Sequence, residues 1–407
     1  MHGPRHVLIA QEELESLRAG GDAQHVGYRT VDDGDLAVVD STANAVAELR
    51  FRNPAGGLPR DVGSSDLLFE VWPPEPAEAR TITAWSRVDS GLAQVGVTVR
   101  PSEPDVFDRV RGVFESDRLR ESRVLVVGVG SGGSFIVREL AKAGVGSFTL
   151  VDHDRLDESN VCRHELGLSD IGRRKVNAMR DYVLDRNPQA DVDVHTFKLD
   201  GEALGSFIEI CTAFAPDLIV CGTDNRESRL LINRVALMLD TVALYGGVRR
   251  RAYAGQVLRV IPHLTPCYQC FITGVPDVAI DVEVSSDAEA RPLSYTDRVV
   301  VPEPGLSTDI APVAMFMAKL ALVELTREHD SAVFESLRTD LVAPWYFWLN
   351  RRELDTPFEH WPPLPASAGG PGVLRWMAQY LDRDEACPAC GLRPAEVDDD
   401  AAAFFAG

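Results

Sequence analysis

The chain has 407 residues, 45% of them hydrophobic and 25% charged, and a formal net charge of −21. That length suits two or three domains of roughly 100–200 residues each, and so acidic a surface repels phosphate, which argues against nucleic acid and anionic membrane as general partners. No run approaches the ~18 apolar residues of a membrane span, and Val7-Leu8-Ile9-Ala10 is too brief for a signal-peptide core, so the sequence predicts a soluble, cytoplasmic protein.

Residues 1–104 carry no glycine-rich motif; short strand-like runs such as Leu36-Ala37-Val38-Val39 and Leu67-Leu68-Phe69-Glu70-Val71-Trp72 alternate with Gly, Pro and Asp turns. We read a small α+β domain there, of unknown role. Over 105–122, Val106, Phe107, Val110, Val113 and Phe114 fit one helical face. The strand Val124-Leu125-Val126-Val127 follows, then Gly128-Val129-Gly130-Ser131-Gly132-Gly133 and a helix over 134–143. A second strand, Phe148-Thr149-Leu150-Val151, ends in Asp152-His153-Asp154. A helix is predicted over 175–187, closed by Pro188, and an alternating strand over 191–197. Leu218-Ile219-Val220-Cys221 reads as a buried parallel strand. It ends in Gly222-Thr223-Asp224-Asn225 before a helix over 226–239. Strands alternating with helices over 105–350 predict an α/β domain with a doubly wound, Rossmann-like, mostly parallel sheet. Its ligands belong at the strands' carboxyl ends, where Gly128, Asp152 and Asp224 fall. The polar stretch 274–309 is too long for an ordinary connection, whereas 310–325 reads as a packed helix. Residues 351–407 read as a Pro/Gly-rich linker over 357–372, a late cysteine pair and an acidic tail, Asp398-Asp399-Asp400.

The turn Gly128-x-Gly130-x-x-Gly133 between a strand and a helix lets backbone N–H groups approach a phosphate. Asp152 stands about 20 residues on, where a ribose-binding acid is placed; to this point NAD fits as well. Asn160, Arg163 and Lys175 then add an amide and two cations, which hydride transfer does not need and attack on a triphosphate does, since negative charge builds on the departing pyrophosphate. Asp224 has two readings, a carboxylate for Mg²⁺ and a cap for the following helix. Cys267-x-x-Cys270 and Cys387-x-x-Cys390 supply four thiolates suited to a tetrahedral structural Zn²⁺. Their separation means that the metal would staple the C-terminal segment to the main domain. The remaining cysteines, Cys162, Cys211 and Cys221, are scattered, and an odd total argues against a disulfide framework.

On these residues, together with Ser159-Asn160-Val161-Cys162-Arg163 and the pair Gly246-Gly247-Val248 and Gly255-Gln256-Val257, the chain resembles the ThiF/MoeB-type adenylyltransferases of the ubiquitin-activating-enzyme superfamily. The resemblance implies a nucleotide site built from Gly128, Gly130, Gly133, Asp152, Asp154, Asn160, Arg163, Lys175, Asp224 and Asn225. Asp152 would bind the ATP ribose; Asn160, Arg163 and Lys175 the phosphates; Asp224 the Mg²⁺. It implies a homodimer in which an arginine, Arg109 or Arg111, crosses to the other subunit's site and joins Arg163, Lys175 and Asp224 in catalysis. The implied reaction joins the C-terminal carboxylate of a ubiquitin-like or sulfur-carrier protein to the α-phosphate of ATP, releasing pyrophosphate. A terminal carboxylate is ionised at neutral pH, its pKa being about 3.5, so no general base is needed.

Two departures stand out. His164 occupies a place where the family commonly has glutamine, and residues 271–309 contain no cysteine, which argues against the thioester that conjugating members form there. Adenylation of a precursor peptide, as in peptide-antibiotic maturation, is the alternative within the superfamily. An NAD-dependent oxidoreductase and an inactive binding scaffold are the alternatives outside it.

Overall fold

The computed structural model describes residues 5–19, 23–31, 36–39, 45–51, 67–71, 82–88, 91–101, 106–110, 116–274, 305–329, 333–362 and 371–391. The chain divides into two units, Met1–Asp105 and Val106–Gly407. Of the first, the described residues form strands β1 (His6–Ala10), β2 (Ala23–Val31), β3 (Leu36–Val39), β4 (Ala45–Phe51), β5 (Leu67–Val71), β6 (Ile82–Val88) and β7 (Gly91–Arg100), with helix α1 (Gln11–Ala19). The strands close into a barrel in the order β1-β3-β2-β4-β5-β6-β7, sealed by parallel pairing of β1 with β7. Val7, Ile9, Leu14, Tyr28, Ala37, Val39 and Ala84 form its core. Closure leaves no unpaired strand edge, which suits strands with one buried face.

The second unit is built on one eight-stranded sheet. Helix α2 (Ser116–Glu121) leads into β8 (Arg123–Val127), α3 (Ser131–Ala143), β9 (Ser147–Val151), α4 (Lys175–Arg186), β10 (Asp191–His195), α5 (Leu204–Phe214), β11 (Leu218–Cys221), α6 (Arg226–Met238) and β12 (Val242–Val248). There follow β13 (Ala254–Val260), α7 (Tyr268–Gly274), α8 (Ser307–Leu325), α9 (Glu335–Asp340), β14 (Trp345–Leu349) and β15 (Arg375–Gln379). The sheet order is β10-β9-β8-β11-β12-β13-β14-β15. Pairing is parallel from β10 to β12 and antiparallel from β12 to β15. The fold is therefore α/β with a mixed sheet. Both faces are covered, which explains the unbroken apolar strands. Val124 and Val126 of β8 face a core with α3, α4 and α8, whereas Leu125 and Val127 face one with α5, α6 and α7.

Two sequence expectations are modified. Of the helix expected over 105–122, Ser116–Glu121 is helical as α2, 106–110 is a turn closed by Val110 N–H donating to the Phe107 carbonyl at 2.9 Å, and Val113 and Phe114 lie outside the described residues. Beyond 350 the chain does more than link: β15 extends the sheet, and Phe358 and Trp361, inside the expected linker, pack with Tyr253 and Phe347. Pro312 is the sixth residue of α8, beyond its first turn, so the helix continues there without one main-chain hydrogen bond. The expectations for 275–304 and for the acidic tail lie outside the described residues. Among the described residues no helix is long and apolar enough to cross a membrane.

Candidate active site

The carboxyl ends of β8, β9, β11 and β12 open into a cleft of about 1260 Å³. Gly128, Gly130, Asp152, Asp154, Asn160, Arg163, Lys175, Asp224 and Asn225 all line it. Gly133 does not; its place is behind the turn. A Cβ at Gly133 would sit 1.9 Å from the Gly128 carbonyl oxygen, whereas one at Gly130 would meet nothing within 4 Å. Gly128 itself has φ +87°, a conformation suited to glycine. The motif thus splits into glycines that let the chain fold tightly and one that leaves the cleft side open for a ligand.

Asp152, just past β9, accepts N–H bonds from Val129 and Asp154, both at 2.8 Å. The carboxylate is fixed between the glycine turn and the β9 loop. Lys175, the first residue of α4, is buried and pairs with Asp154 at 2.8 Å. Burial raises the Asp154 carboxyl, but the Lys175 hydrogen bond and charge, with His153 and Arg174, outweigh it and hold it below its ordinary value. Asn160 closes a short 3-10 turn, where its side chain accepts from Asp157 N–H at 3.2 Å. Arg163 donates through Nε to Ser131 Oγ at 2.9 Å, joining the cationic segment to the start of α3.

His164 ties the same segments together from behind. Leu166 N–H donates to Nδ1 at 3.1 Å, so the ring proton is on Nε2, which donates to the Val129 carbonyl at 2.7 Å. Burial holds the imidazole below its ordinary value, and the Lys175 and Arg163 charges act in the same direction, against the Val129 hydrogen bond and Asp152. This neutral ring is a structural clamp on the glycine turn.

Of the two readings of Asp224, the helix cap does not hold. Asn225 is the N-cap of α6, accepting from Ser228 N–H at 2.7 Å. Asp224 is exposed in the cleft, and no described residue bonds to its carboxylate. Arg229, which the sequence did not single out, is buried and donates to the Thr223 carbonyl at 2.8 Å and the Gly246 carbonyl at 3.0 Å. It locks the Asp224 loop to β12; an arginine on a helix face carries no signal of that role. Arg109 is exposed on the turn 106–110 and does not line its own chain's cleft, and Arg111 lies outside the described residues.

The four knuckle cysteines converge, as their spacing predicted. Sγ–Sγ separations are 3.8 Å for Cys267–Cys270 and Cys267–Cys387, and 3.3 Å for Cys270–Cys390. A tetrahedral Zn²⁺ with bonds of about 2.3 Å has sulfurs about 3.8 Å apart, so the buried cluster has the donors and dimensions for that ion. Burial and the neighbouring thiols push the Cys267 thiol well up, so metal binding would release protons. Elsewhere, burial raises Cys211 to about 12, which makes it a poor nucleophile, and Cys221 is buried in β11.

Residues 106–339 match the ThiF family model. The chain is 30% identical over 217 residues to a Caenorhabditis elegans protein named ubiquitin-like modifier-activating enzyme 5, covering 52% of this chain and 49% of that one. It is 36% identical over 140 residues to a Mycobacterium tuberculosis protein named probable adenylyltransferase/sulfurtransferase MoeZ, covering 34% of each. It is 31% identical over 182 residues to the Bacillus subtilis sulfur carrier protein ThiS adenylyltransferase, covering 44% of this chain and 52% of that one. The chain thus spans about a third to a half of the length of these curated relatives. More than half of it matches the family model, through the unit that contains the glycine turn and its cations, and the chain belongs to the ThiF family.

Proposed function

We propose that the protein is an ATP-dependent adenylyltransferase that activates the C-terminal carboxylate of a ubiquitin-like or sulfur-carrier protein as an acyl-adenylate. The observation that carries this reading is one cleft containing an open glycine turn, a fixed carboxylate, two cations and an uncommitted carboxylate. The names of the relatives support the choice of substrate class.

In this reading the phosphates lie over Gly130 at the start of α3, where free N–H groups and the helix dipole favour an anion. Asp152 takes the ribose hydroxyls, because its oxygens retain acceptor capacity. Arg163 and Lys175, with Asn160, neutralise the phosphates, and both cations are held in place before ATP arrives, so little reorganisation opposes the reaction. Asp154 orients Lys175, and Asn225 sets the end of the loop that presents Asp224. Asp224 would hold Mg²⁺, which would supply positive charge against the phosphates and the departing pyrophosphate. The carboxylate oxygen attacks the α-phosphorus, the bond to the pyrophosphate oxygen breaks, and an acyl-adenylate and pyrophosphate result. Zn²⁺ in the closed Cys267, Cys270, Cys387 and Cys390 site has no open position, so its work is structural. The protein acts as a homodimer, with Arg109 or Arg111 supplied to the partner's cleft. No cysteine occurs in 271–309, so the adenylate is handed to an external nucleophile without a self-thioester. Residues 1–104 form a separate domain.

Substrate-dependent exchange of labelled pyrophosphate into ATP tests the reading. Exchange with a ubiquitin-like partner, lost in Asp224→Ala and Lys175→Ala, is the expected result. Exchange with a short precursor peptide alone would move the assignment to peptide maturation. Exchange with neither class would refute adenylation.

A further inference from the structure

Beyond the sheet's carboxyl edge, β12 and β13 continue as a two-stranded ribbon. Val127, Cys221 and Tyr245 form one row at that edge, and Gly247 stands two residues past Tyr245, opposite Gln256. The two faces of the ribbon have different neighbours. Helix α8 covers one of them. A Cβ at Gly246 would lie 1.9 Å from Met317 Sδ, and one at Gly255 would lie 2.4 Å from Val313 Cγ2. Those two glycines let the helix close on the strands.

Alternation along β13 puts Gln256 on the opposite face. Val257 packs into the core shared with α8, whereas Leu258, on the same side as Gln256, packs into the core shared with α6 and α7. Gly247, Gln256, Tyr268, Phe271 and Ile272 all line the cleft. Gln256 thus brings an amide to a wall of aromatic and aliphatic side chains, the kind of lining in which a few polar groups set a ligand's orientation. Its Oε1 is buried and has no hydrogen-bond partner among the described residues. Arg229 does not supply one. Its guanidinium lies beside Gly247 and donates to the Thr223 and Gly246 carbonyls.

A buried acceptor without a partner is costly, and in native proteins nearly all are satisfied. A side-chain amide presents an acceptor and a donor side by side, as a peptide unit does. Its complement is the main chain of an extended segment, whose N–H and C=O groups are both free. Strand order and spacing give the span. β13 lies three strands from β8. At about 4.8 Å per strand this is about 14 Å, the reach of about four residues of extended chain.

Building on the adenylation reading, we propose that the Gln256 amide hydrogen-bonds the main chain of the acyl substrate's C-terminal tail about four residues before its end, with Oε1 accepting a tail N–H. The contact holds an extended tail against the ribbon while its carboxylate lies at the glycine turn. It reads the main chain and so selects for an extended conformation at that place. A helical tail, whose N–H groups are already bonded, does not satisfy it.

The test uses the full chain without ATP and fluorescein-labelled ten-residue peptides ending in Gly-Gly. In each of five variants, one of the last five main-chain linkages is an ester, which removes a single N–H. Binding is read by anisotropy. In the wild type, one of the esters should weaken binding about tenfold. Gln256→Leu, which keeps the bulk and removes the amide, should bind the all-amide peptide about tenfold less tightly than wild type. It should bind the sensitive ester no less tightly than the all-amide peptide, because the two changes remove the same contact. Its Tm should equal or exceed that of wild type, since an unpaired buried acceptor has been replaced by an apolar group. Binding insensitive to all five esters, an ester effect that persists in Gln256→Leu, no peptide binding, or a Tm of Gln256→Leu below that of wild type would overturn the contact. Pyrophosphate exchange with the same peptides separates the two readings. Exchange that no ester weakens leaves adenylation standing and removes the contact. An ester-sensitive, Gln256-dependent linkage without exchange does the reverse.

Discussion

The glycine turn yields the sharpest prediction, because two of its glycines stand in opposite environments. At Gly133 an added Cβ would lie 1.9 Å from the Gly128 carbonyl oxygen and 2.9 Å from its carbon. Neither contact can be relieved by rotating a side chain, since both atoms are backbone. Overpacking of this kind costs about 1–3 kcal/mol and more where the main chain must move. Alanine in helix α3 returns about 1 kcal/mol of helix propensity. The net loss for Gly133→Ala is therefore about 2 kcal/mol, a fall in Tm of about 4–8 °C for a unit of this size. At Gly130, with φ −70° and ψ −156°, alanine is conformationally ordinary, and its Cβ meets nothing within 4 Å. Gly130→Ala should keep its stability within about 0.5 kcal/mol. Its methyl nevertheless projects into the open side of the turn, where a phosphate would approach. ATP affinity should fall about tenfold, equivalent to about 1.4 kcal/mol. Calorimetric melting and titration with a fluorescent ATP analogue measure the two effects separately. A Gly133→Ala protein that melts with the wild type, or a Gly130→Ala protein that binds nucleotide as the wild type does, would refute the assignment of one glycine to folding and one to the ligand.

The converging cysteines predict about one zinc per purified chain by elemental analysis. Cys387→Ser should lose the metal and lower the Tm, and a metal-free wild type with an unchanged Tm would count against the site. The cap assignment predicts that Asn225→Ala costs about 1 kcal/mol of stability, whereas Asp224→Asn leaves the Tm in place and abolishes exchange; equal melting losses would show that Asp224 has a structural role. His164 has a depressed folded-state pKa, so its stabilising contribution is complete above its ordinary value of 6.5 and lost as the pH falls below that value. The Tm advantage of wild type over His164→Gln should therefore shrink as solutions are acidified from about pH 7.5 to about pH 5; a constant gap would show that the ring's protonation is not linked to folding.

The local chemistry of the site was legible in the sequence for a physical reason. The apolar strand, the glycine turn and the following helix are formed by neighbours in the chain, and their order alone places Gly128 and Asp152 at a sheet's carboxyl edge. Arg163 and Lys175 follow in the next crossover, between β9 and β10, so they could be associated with the site without knowledge of distant contacts. The cysteine pairs were legible through chemistry, since four thiolates at two short spacings have few other uses. Side-chain direction was not. Asp224 and Asn225 are adjacent, and either could cap a helix; the backbone conformation at Asn225 awarded it the cap and left Asp224 in the cleft. His164 stood out in the sequence as an unusual residue in the motif, but its task depends on Val129, 35 residues away. Arg229 gave no signal, because its partners lie on the loop after β11 and on β12, which only the parallel register of those strands brings together. The sequence by itself determined the strand–turn–helix unit, the charges near the glycine turn and the two cysteine pairs, because these follow from residue type and short-range order. Only the tertiary structure decided which glycine is open, which acid is uncommitted and which arginines face the cleft, because those depend on non-local packing that forces one side chain inward and its neighbour away.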